Sequence, residues 1–203
     1  MNFKTVADDT TLKKVQAALK DNGFDTQIVE SLVQAKDVAL AMIPEGAEVM
    51  TSTSVTLHET GITEVIEESG KYNAVKKALA EMNRETDHRE MQRLGAAPEY
   101  VIGSVHAVTE DGKVIIASNT GSQLPGYAYS ADHVIWVVGA QKIVKNVDEG
   151  IKRIYEYVLP LESERAHKAY GVEGSFVSKL LIMNREPNPN RIKIILIKEP
   201  AGY

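Results

Sequence analysis

A chain of 203 residues, 43% apolar and 25% charged, is long enough for one substantial core and has neither a membrane nor a disordered composition. Its net charge of -5 argues against nucleic acid as a partner, since such binding needs a basic face to displace counterions. With no cysteine, the chain can form no disulfide, thiolate zinc site, iron–sulfur ligation or cysteine nucleophile.

No run approaches the ~18 apolar residues of a membrane span. The start, MNFKTVADDTTLKK, lacks a signal peptide's apolar core, so no membrane insertion and a cytoplasmic location are expected.

Leu12, Val15, Ala18 and Leu19 recur at helical spacing, and Asn22-Gly23 supplies a stop. Residues 24–29 alternate as a strand does. Ser31 then caps a helix carrying Leu32, Ala35, Ala39 and Met42, which ends before Pro44. Ala47–Met50 reads as another strand. Helix, strand, helix, strand is the order of a parallel α/β sheet.

That strand runs into four hydroxyl residues, Thr51-Ser52-Thr53-Ser54. Thr56 and Glu59 have capping-box spacing, so the loop feeds a helix N-terminus. Small hydroxyl side chains there suit a phosphate or carboxylate, and they equally suit a well-capped turn. Residues 74–94 read as one helix with Val75, Ala78, Leu79 and Met82 inward, and the mixed charge of RETDHREMQR reads as its solvated face.

Glu99–Gly103 is the next strand. His106–Thr109 and Lys113–Ala117 form a hairpin around Glu110-Asp111-Gly112. Val114–Ala117 and Val134–Val138 are short β-branched runs that stop in polar, glycine-bearing sequence: Ser118–Gln123 after the first, Gly139–Lys142 after the second. Strand ends that open into such loops are where α/β sheets hold ligands. Asn146 and Glu149 have cap spacing for a helix with Val147, Ile151, Ile154, Tyr155 and Val158 on one face, ending at Leu159-Pro160. A charged helical segment, 161–171, follows. Two strands, Leu180–Ile182 and Ile192–Ile197, flank a tight loop at 186–191. No linker or repeat interrupts the chain, so one domain, 1–203, is expected.

The five histidines have no metal-binding spacing, and no metal is expected. His58 and His106 lie beside the polar loops and are candidate acid–base groups, as are Glu59 and Glu110, although capping and turn roles already account for the two acids. Lys142 follows a strand end and a glycine, so its ammonium can fold back over the sheet toward an anion. Arg165 can clamp a carboxylate or phosphate, or pair with Glu162 or Glu164.

Four ordered segments, SVTLHETGI (54–62), GSVHAVTEDGKVIIASNTGSQLP (103–125), HVIWVVGAQKIV (133–144) and LPLESERAHKAYG (159–171), together resemble the LUD-domain proteins, the lactate-utilisation group that includes the LutC/YkgG subunits. The resemblance implies a NagB/RpiA/CoA-transferase-like fold, a mostly parallel sheet with helices on both faces. It implies an accessory or ligand-binding subunit in the oxidation of lactate, or a related 2-hydroxy acid, to pyruvate. With no cysteine to hold a cluster, an iron–sulfur partner subunit would carry the electrons.

Superfamily relatives bind phosphorylated sugars, CoA thioesters or nucleotides. By that fold analogy, a stand-alone transferase, isomerase or hydrolase for an anionic acyl or phosphoryl substrate is the alternative. The ligand expected either way is a small anion, at Ser52, Thr53, Ser54, Asn119, Thr120, Gly121, Ser122 and Lys142. The sequence is compatible with an oligomer.

Overall fold

The computed structural model describes residues 2–203. In chain order the first half holds α1 (Asp9–Asp21), β1 (Asp25–Val29), α2 (Leu32–Ala41), β2 (Glu48–Thr51), α3 (Val55–Thr60), α4 (Ile62–Glu68), β3 (Asn73–Ala74), α5 (Val75–Glu81), α6 (His88–Ala96) and β4 (Tyr100–Gly103). The second half holds β5 (Ala107–Thr109), β6 (Val114–Ser118), β7 (His133–Gly139), β8 (Ile143–Val144), α7 (Val147–Arg153), α8 (Leu159–Tyr170), β9 (Lys179–Met183) and β10 (Ile192–Ile197).

Six strands form one sheet in the order β1-β10-β7-β4-β2-β3, with every neighbouring pair parallel. Its central strands are apolar on both faces, as a sheet covered by helices on both sides requires. Val134, Trp136 and Val138 of β7 join Ile192, Ile194 and Leu196 of β10 in one core, with Leu12, Val15 and Leu19 of α1 packed on it. The alternate residues Ile135, Val137, Ile195 and Ile197 enter a second core with Ala35 and Ala39 of α2, Leu57 of α3 and Ile62 of α4. No helix among the described residues is long and apolar enough to cross a membrane.

Local signals act where the spacing placed them. Ser31 accepts from the Gln34 N–H at 3.3 Å, and Asn146 accepts from the Glu149 N–H at 2.9 Å. At α3 the cap is Ser54, whose hydroxyl accepts from the Leu57 N–H, and not the Thr56/Glu59 box.

Three further expectations are corrected. The hairpin β5–β6 is antiparallel as read, but β6 belongs to a separate four-stranded sheet, β8-β5-β6-β9, and not to the parallel one. The single helix expected over 74–94 is two helices. Between them the Asn83 N–H turns to the Asp87 carboxylate and the Glu85 N–H to the Asn83 amide, so side chains replace helical acceptors.

The helix begun at Asn146 does not stop at Pro160. It runs through a π turn, Ile154–Val158, into α8 with Pro160 in the first helical turn. A proline ring clashes with the carbonyl four residues earlier, here that of Glu156, and the wider π turn gives that carbonyl room. Tyr155, expected on the inner face, is exposed.

The loop 186–191 does more than turn. Arg191 and Glu186 form a buried ion pair in which Nη2 and Nε both donate to the Glu186 Oε2, at 2.7 and 3.0 Å. The same guanidinium donates to the carbonyls of Tyr127 (2.8 Å), Ala131 (3.2 Å) and Gly126 (3.4 Å), fixing the π turn at Gly126–Ser130. Removing one partner of such a pair strands a buried charge. Arg191→Met is therefore expected to cost about 3–5 kcal/mol in urea denaturation, whereas Lys71→Ala, which opens the exposed Lys71–Glu45 pair, leaves the midpoint unchanged.

Candidate functional site

The carboxyl ends of β2, β4 and β7 lie side by side, with Thr51 in register with Ile102 and Gly103 in register with Trp136. The chain leaves β2 through Ser52–Ser54, β4 through Ser104, and β7 through a tight 3-10 turn ending at Lys142. The end of β6 and the inner side of α8 face these loops. Together they enclose a cavity of about 650 Å³. Ser52, Thr53 and Ser54, then Asn119, Thr120 and Ser122, then Lys142 and Arg165 all line it.

Lys142 is the most deeply placed charge in that wall, with 2% of its surface exposed. Its Nζ donates to Thr56 Oγ1 and to Ser104 Oγ, both at 3.0 Å. Among the described residues no carboxylate pairs with it. Burial, reinforced by the Arg153 charge and only partly offset by Glu59, pushes the ammonium down to about 7.

Thr56 is held in turn. Its hydroxyl donates to the Ala201 carbonyl at 3.1 Å, so toward Lys142 it acts as acceptor. Gln141 fastens the same segment by donating to the Ala201 and Gly202 carbonyls, both at 3.0 Å.

His106 sits in the wall with Nδ1 accepting the Ala117 N–H at 3.1 Å. Desolvation, then the charges of Lys142 and Arg153, drive it down to about 3, so it is neutral and a feeble base near pH 7. His58 is at the rim, 3.1 Å from Glu64.

Arg165 forms the ion pair that its sequence neighbours allowed, donating to both Glu162 oxygens at 2.8 and 2.7 Å. Burial pushes Glu162 up, but Arg165 and the Tyr203 hydroxyl (2.7 Å) outweigh it and hold the carboxyl below its usual range.

Three candidates lie off the cavity wall. Glu110 pairs with Lys14 at 2.6 Å on the hairpin turn. Glu59 accepts the Gly202 N–H at 2.6 Å. Gly121 has φ +86° and shapes the loop rather than facing the cavity.

Ser104, Tyr127, Tyr203, Lys76 and Arg84 also line the cavity with no sequence signal assigned to them, and Thr56 and Glu162 line it beyond the capping and ion-pair roles their spacing indicates. Ser104 was findable, since it follows Gly103 at a strand end as Ser52 follows Thr51. Tyr127 carried no such signal. It reaches Ser52, 2.7 Å from hydroxyl to hydroxyl, because Gly103 has no side chain; a Cβ there would lie 1.8 Å from the Tyr127 oxygen. Among the described residues no group of three or more histidine, aspartate or glutamate side chains is placed to hold a metal ion.

The depressed Lys142 has a signature in stability. From pH 7 to about 10 the unfolded chain holds a proton that the folded one has released, so stability rises with pH over that window. Denaturation across that range should show a rise on the order of a few kcal/mol in the native protein that is missing in Lys142→Met.

The sequence matches the LUD domain over residues 12–197. A search of curated proteins returns no match. Among solved structures, a DUF162 family protein from Deinococcus radiodurans superposes with a TM-score of 0.58 at 12% identity, covering 95% of this chain and 99% of that one. Weaker likenesses are to ribose 5-phosphate isomerase A from Methanocaldococcus jannaschii (TM-score 0.37, 18% identity, 66% of each chain) and eIF2B beta from Chaetomium thermophilum (TM-score 0.37, 13% identity, 57% of this chain and 43% of that one). With the LUD domain matched over residues 12–197 of its 203, the chain belongs to the LUD-domain family.

Proposed function

We propose that this protein is a cytoplasmic ligand-binding subunit that takes up lactate or a related 2-hydroxy acid, and the 2-oxo acid formed from it, for a partner carrying the redox centre. One observation carries the reading: the sign of the cavity. Lys76, Arg84, Lys142 and Arg165 line it against one carboxylate, Glu162, in a chain whose overall charge is -5. A concave wall of one sign concentrates ligands of the other. The family supports lactate as the type of anion. A chain without cysteine supplies no thiolate ligands for a cluster, which is why the reading includes an iron–sulfur partner subunit.

The size of the cavity favours a second reading. About 650 Å³ lies within the range of drug-sized ligands and leaves room beyond a three-carbon acid. A larger anionic acyl or phosphoryl compound would fill it, with this chain acting alone as a transferase, isomerase or hydrolase.

Thermal denaturation with lactate, pyruvate, longer 2-hydroxy acids, CoA esters and sugar phosphates separates the two. A true ligand at a hundred times its Kd adds about 2.7 kcal/mol, which raises Tm by roughly 5–10 °C in a chain this size. The first reading expects that rise with a 2-hydroxy or 2-oxo acid and its loss in Arg84→Ala combined with Lys76→Ala. A rise with CoA esters or sugar phosphates alone transfers support to the second, and no response to any of the panel overturns both.

A further inference from the structure

We propose that Lys142 captures a 2-oxo acid covalently, its amine nitrogen joining the C2 carbonyl carbon as an imine inside the cavity. This rests on, and deepens, the reading of the cavity as the site of a 2-hydroxy acid and its oxidised counterpart. The geometry is that of a nucleophile. Nζ is shut away from bulk water on the cavity wall, and its two partners are hydroxyls, neither of which holds it in the charged form as a carboxylate would. A lysine that is desolvated and lies near another cation is the activated kind, and both burial and the Arg153 charge act here in that direction.

The two hydroxyls differ in what they can do. Thr56 has committed its hydrogen to the Ala201 carbonyl and can only accept from the amine. Ser104 Oγ has Lys142 as its one side-chain partner among the described residues, so its hydrogen is free to turn toward an incoming carbonyl oxygen. Arg84, on the same wall, offers a cation for the carboxylate, and Lys76 lies beside it with its ammonium 3.6 Å from Glu67.

The amine lone pair attacks C2 and a C–N bond forms. The carbonyl electron pair moves onto oxygen, which takes a proton relayed by Ser104. The resulting carbinolamine loses that oxygen as water as C=N forms, so both amine hydrogens leave with it. Amine and ketone become imine and one water, and nothing is oxidised or reduced. A 2-hydroxy acid has an alcohol and no carbonyl at C2, and its carboxylate does not condense with an amine, so the lysine tells the oxidised acid from the reduced one.

The full chain incubated with pyruvate or with lactate, then treated with borohydride, can be read by intact mass and peptide mapping beside a thermal-shift measurement of the same mixtures. The expected result is a reduced adduct on Lys142 with pyruvate, none with lactate, and none on that peptide in Lys142→Arg. Ser104→Ala should slow adduct formation about tenfold or more. If pyruvate raises Tm without an adduct on Lys142, or labels exposed lysines equally, covalent capture is overturned while the anion site stands. If neither acid binds nor reacts, both readings fall.

Discussion

An ammonium taken out of water without a carboxylate to neutralise it is the constraint around which the rest of the site is arranged. Lys142 reaches that position because β7, buried on both faces, ends at Gly139 and turns at once. A Cβ at Gly139 would lie 2.2 Å from Gln141 Oε1 and 2.6 Å from the Ala201 nitrogen, so the turn closes only around a glycine. Gln141 then holds residues 201–202 by three hydrogen bonds, and the Ala201 carbonyl fixes the direction of the Thr56 hydroxyl. A cation whose surroundings withhold an anion is destabilised until one arrives. The chain pays for this locally and recovers it in the two apolar layers on either side of β7.

The second sheet gives the cavity its far side. The ends of β2, β4 and β7 make an open rim in the parallel sheet. β6 and α8 face that rim with Ser118–Thr120 and Glu162–Arg165, and the chain after Lys142 enters β8 of the same sheet as β6. Glu162 is held by Arg165 and Tyr203, which keeps the one lining carboxylate occupied and leaves the Lys142 region positive.

Most individual elements of this fold are local matters and were legible as such. Ser31 and Asn146 cap where their spacing places them, and β7 and β10 are recognisable as short runs of valine and isoleucine. Strand ends followed by small polar residues also pointed to Ser52–Ser54, Asn119 and Lys142, which line one cavity. Partnership across the chain was not legible. Nothing within residues 114–118 says that β6 pairs with β9 rather than joining the parallel sheet, because both arrangements bury the same apolar run. Arg191 with Glu186, and Tyr203 with Glu162, depend on how distant segments are stacked. Glu59 and Glu110 were misplaced for the opposite reason: each stands beside a site loop in sequence and points elsewhere in space.

The π turn at Ile154–Val158 sets an angular offset for everything that follows it. An α-helix advances about 100° per residue, and one extra residue in a turn rotates the downstream helix by that amount. Ile154 and Val158 still face inward, and with the added residue Glu162 and Arg165 look into the cavity from the same side. A relative of this chain shorter by one residue in that turn would keep both helices and most of their packing. Its carboxylate–guanidinium pair, however, would have swung more than a quarter of a circle around the helix axis, leaving the Tyr203 hydroxyl facing a different side chain.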